Sequence, residues 1–239
     1  MRITDLKVAI IGNAPVVRIT TDEGIDGVGA GQPSKPYLKP MIEFYRDMII
    51  GRDPTDVERV MLGIRRMGAF KPWGTGVSAI EMALWDIAGK AAGLPVYKLL
   101  GGKVRDEVQV YNGVVRYPRE GNEPEHYAEN MQKMKDHPFN FSIIKQAVSF
   151  HGKMERDFDD FYYGEPVFVD RHPGHPNRGA ITPKGFKYML KCIEAMLDVL
   201  GDDVGLALDC GPGMTVPDTL KLAKELEGSN IMWLEDAIT

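Results

Sequence analysis

Two apolar runs in the second half of the chain end on acids. Gly205-Leu206-Ala207-Leu208 leads into Asp209, and Ile231-Met232-Trp233-Leu234 leads into Glu235, which Asp236 follows. Short apolar runs closed by a charge read as buried parallel strands, and ligands meet barrels and open sheets at the carboxyl ends of such strands. One strand-helix-strand unit separates the two acids, so both carboxylates are expected on neighbouring strands at one face. Hard oxygens converging there suit Mg²⁺, which takes few protein carboxylates, keeps several waters and leaves room for a substrate oxygen. One strand-ending acid alone serves as well for a helix cap or a salt bridge; the pair is what points to a metal. A third run, Phe141-Ser142-Ile143-Ile144, ends on Lys145. An ammonium beside a divalent ion has its pKa lowered and becomes useful in proton transfer. A lysine in that place is equally a surface group at a strand end.

The elements that must position these groups follow from apolar periodicity. Val108–Val115 is expected as a strand, Glu125–Lys135 as a helix, Phe141–Phe150 as a strand and Pro183–Leu200 as a helix. Val204–Asp209, Pro217–Leu226 and Ile231–Glu235 continue the series as strand, helix and strand. Alternation of this kind predicts a parallel sheet. Between Phe150 and Thr182 a polar and aromatic stretch fits no regular element, and connections this long are functional or disordered. It contains Arg171-His172-Pro173-Gly174-His175-Pro176.

The first hundred residues read differently. Alternating apolar residues over Ile3–Ile10, a break at Gly12-Asn13-Ala14-Pro15, a second run over Val16–Thr20, a turn at Thr21–Gly24 and a third run from Ile25 to Ala30 predict a three-stranded antiparallel meander. Helical periodicity then covers Met41–Ile50, Asp56–Arg66 and Val77–Ala92. The last of these is apolar almost all round, so it is expected to lie buried between layers. Strands followed by helices indicate an α+β domain, with a boundary expected at Val104–Glu107.

Bulk composition narrows the partners. The chain has 239 residues, 44% of them hydrophobic, enough for a substantial core. With 34 acidic and 29 basic residues its net charge is -5, which leaves no broad basic face for a nucleic-acid backbone. No apolar run approaches the roughly 20 residues of a membrane helix, and Met1–Leu6 lacks the apolar stretch of a secretory signal; a cytoplasmic location without membrane partners is expected. Cys192 and Cys210 have neither zinc-site spacing nor the density of a disulfide framework, so both are expected as buried thiols.

Several motifs together carry a resemblance. They are Val17-Arg18-Ile19-Thr20-Thr21-Asp22-Glu23-Gly24, Ala79-Ile80-Glu81-Met82-Ala83-Leu84-Trp85-Asp86-Ile87-Ala88-Gly89-Lys90, Leu99-Leu100-Gly101-Gly102, Leu208-Asp209 and Trp233-Leu234-Glu235-Asp236. From Met1 to its last residue the chain resembles the mandelate racemase and muconate lactonising enzyme group of the enolase superfamily. That resemblance implies an α+β cap domain, residues 1–107, followed by a partial (β/α) TIM-type barrel, residues 108–239. The barrel is expected to be incomplete, since a barrel alone takes roughly 250 residues. It also implies Mg²⁺ held by acids on three successive strands, stabilising an enolate made by removing a proton next to a carboxylate. Asp209 and Glu235 would be the first two ligands, and the third would lie beyond Thr239.

The same resemblance brings two cap loops over the substrate: the turn with Asn13, and Gly68–Gly74 with Phe70, Lys71 and Trp73. The two aromatics serve equally well as a cover for the helix from Val77. Many members place two lysines one residue apart at the second barrel strand; Lys145-Gln146-Ala147 keeps only the first, and His151 is a candidate substitute. Gly211 stands where members often carry asparagine. Arg171, His172, His175 and Arg178 are candidates for recognising a polyhydroxy acid. The expected function of the intact family member is Mg²⁺-dependent dehydration of a sugar acid, with a small-molecule carboxylate substrate and a homo-oligomeric assembly. The 239-residue chain alone is expected to be inactive. A racemase or epimerase of a carboxylate, and a non-catalytic fragment, are the rival readings.

Overall fold

The computed structural model describes residues 1–68, 74–164, 180–211 and 213–238. They form two compact units, Met1–Glu107 and Val108–Thr239, each with its own apolar core.

In the first unit, β1 (Ile3–Ile11), β2 (Ala14–Thr21) and β3 (Gly27–Ala30) pair antiparallel in the order β1-β2-β3, the meander expected from the turn residues. Alternation puts Val17 and Ile19 of β2 into the core with Leu6 and Val8 of β1. Helix α1 (Leu38–Glu43) and the one-turn α2 (Arg46–Ile49) replace the single helix expected over Met41–Ile50. Tighter three-residue hydrogen bonds, from the Tyr45 amide to the Ile42 carbonyl and from the Met48 amide to the Tyr45 carbonyl, interrupt the spiral there. Helix α3 (Val57–Gly68), helix α4 (Gly74–Ala92) and the short α5 (Val96–Leu99) complete the unit.

Glycine is obligatory where β3 crosses α4. A Cβ on Gly27 would stand 1.9 Å from the Ala83 carbonyl oxygen, and one on Gly29 2.0 Å from that of Ala79. Helix α4 buries Ala79, Ile80, Ala83, Leu84, Ile87 and Ala88, but Met82 is exposed and Trp85 half-buried. Burial all round therefore does not hold: one face packs on the sheet, and apolar residues outside it remain at the unit's surface.

In the second unit, β4 (Ile143–Ala147), β5 (Gly205–Asp209) and β6 (Ile231–Glu235) are parallel and ordered β4-β5-β6. Helix α6 (Pro124–Lys135), the one-turn α7 (Met154–Asp157), α8 (Pro183–Leu200) and α9 (Val216–Glu225) connect and cover them. This is the strand-helix alternation of the first part of a (β/α) barrel. Prolines in the first turn and side-chain caps set two helix starts: Thr182 accepts from the Gly185 amide and Thr215 from the Asp218 amide. All five residues of β5 are buried, as a strand covered on both faces must be.

The strand expected over Val108–Val115 does not form. The segment meets β4 at Asn112 alone, whose amide donates to the Ile143 carbonyl while its own carbonyl accepts from the Lys145 amide. The Asn112 side chain then accepts from the Val114 and Val115 amides at 3.2 and 2.8 Å, an Asx turn that draws the backbone off the ladder. Val108, Val110 and Val114 are left exposed. Among the described residues no helix is long and apolar enough to cross a membrane.

Candidate functional site

Parallel pairing sets the level of each side chain. Asp209 is the Cα partner of Glu235, and Ala147 is the partner of Asp209, so the two acids end their strands side by side. Lys145 sits one pleat back on β4 and faces the same way, because residues two apart on a strand share a face. Its long side chain spans that gap: Nζ is 2.7 Å from Glu235 Oε1 and 3.0 Å from Asp209 Oδ2.

These groups are removed from bulk water to different degrees. The side chains of Lys145 and Asp209 are each 12% exposed, that of Glu235 31%. Burial works to lower the Lys145 pKa, but its hydrogen bonds to Glu235 and Asp209 outweigh it and the net shift is upward. Glu235 is correspondingly held below the usual carboxylate value, first by the Lys145 ammonium and then by the Trp233 indole. Lowering the Lys145 pKa, as expected from the sequence, would need a second cation between the acids to offset their charge.

Neighbours complete the arrangement. Trp233 Nε1 donates to Glu235 Oε2 at 3.0 Å, and the Gly211 amide donates to Asp209 Oδ1 at 3.2 Å. Arg116 donates to the carbonyls of Lys145, Val115 and Gly113 at 2.5, 2.9 and 3.2 Å. Burial pulls the Arg116 pKa down against the attraction of Asp209. Trp233, Arg116 and the Gly211 amide escaped sequence reasoning. Of the three, only Trp233 carried a signal, since its spacing of two from Glu235 places it on the same face.

His151 lies in the loop after β4. Its amide donates to the Cys210 carbonyl at 3.1 Å, and its Nε2 comes within 3.7 Å of Asp209 Oδ2 with the side chain 54% exposed. Gly211 makes room for it: the residue has φ +58°, and a Cβ there would stand 2.9 Å from the His151 Cβ. Asn13 belongs to the first unit, in the β1–β2 turn, where its Nδ2 donates to Ser34 Oγ at 3.2 Å. Phe70, Lys71 and Trp73 lie outside the described residues, as do Arg171, His172, His175 and Arg178.

The donor set fits a divalent cation. Asp209 and Glu235 already direct one oxygen each at a single positive centre, the Lys145 ammonium, at 3.0 and 2.7 Å. Among the described residues no group of three or more His, Cys, Asp or Glu side chains gathers. Mg²⁺ is commonly held by one or two carboxylates with waters and substrate oxygens completing its shell.

Comparison with known proteins bears on this geometry. Residues 8–101 match the family model for the N-terminal domain of mandelate racemase / muconate lactonizing enzyme. The chain is 29% identical to the D-xylonate dehydratase of Haloferax volcanii, over 99% of this chain and 54% of that protein. It is 31% identical to a D-mannonate dehydratase of Caulobacter vibrioides, over 100% of this chain and 59% of the relative. The fold is similar to that of a member of the enolase superfamily from Salmonella Typhimurium, with TM-score 0.78 and 23% identity, over 100% of this chain and 62% of that one. The chain thus spans little more than half the length of the relatives it matches.

Proposed function

We propose, for a chain whose residues 8–101 match the mandelate racemase / muconate lactonizing enzyme N-terminal domain and whose fold is similar to that of an enolase-superfamily member, that it carries the first part of a Mg²⁺-dependent lyase site dehydrating a sugar acid. The observation that carries this reading is the convergence of Asp209 and Glu235 on one positive centre at the carboxyl ends of adjacent parallel strands. The names of the relatives, D-xylonate and D-mannonate dehydratase, supply the substrate class.

Asp209 and Glu235 would hold Mg²⁺, which supplies positive charge to the substrate's carboxylate and so makes the neighbouring C–H acidic. Dehydration removes that proton from carbon, forms a double bond to the next carbon and expels its hydroxyl, which leaves as water once protonated. Lys145 reaches both acids and would orient them; with Mg²⁺ between them its pKa would be lowered, which would make it useful in proton transfer. His151 would move a proton; its Nε2 lies 3.7 Å from Asp209 Oδ2 with the side chain 54% exposed, which supports that role. Asn13, Phe70, Lys71 and Trp73 are the substrate contacts that belong to this proposal.

The test begins with metal. Titrating the purified chain with Mn²⁺ should show a site that is lost in Asp209→Ala and in Glu235→Ala. A protein carrying this chain and the remaining length of its relatives should then convert sugar acids to keto acids and exchange the proton next to the carboxylate with solvent deuterium. Metal binding that survives both substitutions would overturn the assignment, and deuterium exchange without keto acid would turn it to racemisation.

A further inference from the structure

We infer that Trp233 is a positioning residue: its indole N–H fixes Glu235 so that one carboxylate oxygen alone faces the cation site. The inference rests on the metal reading of Asp209 and Glu235. It adds a residue that neither the strand-end pattern nor the relatives' names assign.

The two acids need different amounts of help. Asp209 is short, mostly buried and held by the Gly211 amide at 3.2 Å. Glu235 is one methylene longer and more exposed, at 31%, so holding it in one rotamer costs more conformational entropy. Its backbone ends β6: the Cys210 amide still donates to the Glu235 carbonyl, but the chain turns at once, with Asp236 at φ +47°, and backbone bonds do not fix the side-chain rotamer. The indole meets that need. An indole nitrogen only donates, and here it donates to Oε2 at 3.0 Å, leaving Oε1 directed at Lys145 Nζ at 2.7 Å. The two oxygens of one carboxylate are thus divided between two partners. A carboxylate tied in this way binds a cation through a single oxygen, which suits the strict octahedron of Mg²⁺.

The indole is itself held. Its ring meets Tyr111 edge to face, with centroids 5.1 Å apart at 78°, and the Tyr111 ring lies 5.9 Å from Lys145 Nζ. Tyr111 therefore meets both side chains that hydrogen-bond the Glu235 carboxylate. Tyr111 comes from the segment that fails to form a strand, and its contact with Trp233 holds that segment at the site beside the single bridge that Asn112 makes to β4.

Partners that hydrogen-bond a metal's ligands typically change affinity about 10- to 100-fold when removed. Trp233→Phe keeps an aromatic ring and deletes the donor together with the five-membered ring that carries it. We expect its Mn²⁺ dissociation constant, read by paramagnetic resonance titration, to rise about 10- to 100-fold, with the circular dichroism spectrum and melting temperature close to wild type. Asp209→Asn in parallel tests the metal reading. If Asp209→Asn loses the metal while Trp233→Phe binds as wild type does, the positioning role is overturned and the metal site stands. If neither Asp209→Asn nor Glu235→Gln changes binding, or wild type binds nothing, the metal reading fails. A second measurement then judges Trp233 alone: its indole proton, assigned in a ¹⁵N spectrum by its disappearance in Trp233→Phe, should shift in Glu235→Gln. An indole resonance indifferent to that substitution overturns the inference whatever the metal does.

Discussion

Gly211 shows how a single residue can decide a site. Its positive φ and its close approach to His151 leave no place for a Cβ, so any larger side chain at this position would collide with the loop that carries His151. Gly211→Ala is expected to destabilise the second unit by about 1–3 kcal/mol, the usual cost of a strained backbone position, as read by urea unfolding. Retention of wild-type stability would mean that the loop yields without cost. The two thiols give a second prediction at this scale. Burial pushes Cys192 and Cys210 up to about 12, so both are neutral in the folded chain at ordinary pH. Unfolded thiols ionise near 8.5. Raised folded values mean that the stabilisation from keeping these groups neutral is fully present below that pH and is lost as pH rises towards 12. Ellman's reagent at pH 8 should find no reactive thiol in the native chain and both after denaturation, and the melting temperature should fall through the alkaline range.

At the scale of elements, backbone contact matters more than side-chain pattern. Strand β3 lies on α4 so closely that the Ala79 and Ala83 carbonyls occupy the space where side chains of Gly29 and Gly27 would be. Gly29→Ala must force strand and helix apart, with an expected loss of about 1–3 kcal/mol or more from overpacking. Thermal unfolding of the isolated variant checks this against Val28→Thr, whose side chain points away from the helix and should change little. The same scale explains why the strand expected at Val108–Val115 is absent. Its alternating valines satisfy the period of a strand, but Asn112 returns a side-chain oxygen to the amides that would have continued the ladder. A polar residue with local bonds to offer outweighed β propensity at one position, and that was enough.

For the molecule as a whole, the surface of the second unit and the length of the chain set the expectations. Val108, Val110 and Val114 are 72%, 62% and 88% exposed along one segment, an unusual apolar exposure for a soluble monomer. Light scattering on the 239-residue chain should show association that grows with concentration and is reduced by Val108→Lys with Val110→Lys. A scattering signal independent of concentration would show that this surface does not drive association. Spanning little more than half the length of its relatives, the 239-residue chain by itself is expected to show no turnover of sugar acids. Turnover abolished by Glu235→Ala would prove that expectation wrong.

Element types were legible in the sequence wherever apolar periodicity was strong: the meander, α8, β5 and β6 need only their own residues to declare themselves. The strand-end places of Asp209, Glu235 and Lys145 were legible for the same reason, since a charge closing an apolar run marks where a buried strand meets solvent. Distances were not. Whether Lys145 reaches both acids depends on the register of three strands far apart in the chain, and register is a property of pairing rather than of any one segment. The partner of Glu235's second oxygen, the room that Gly211 leaves for His151 and the withdrawal of residues 108–115 from the ladder likewise arise from atoms brought together only on folding. Local sequence determines which conformations a segment prefers; tertiary packing decides which of its polar groups find partners, and the candidate site consists of those partners.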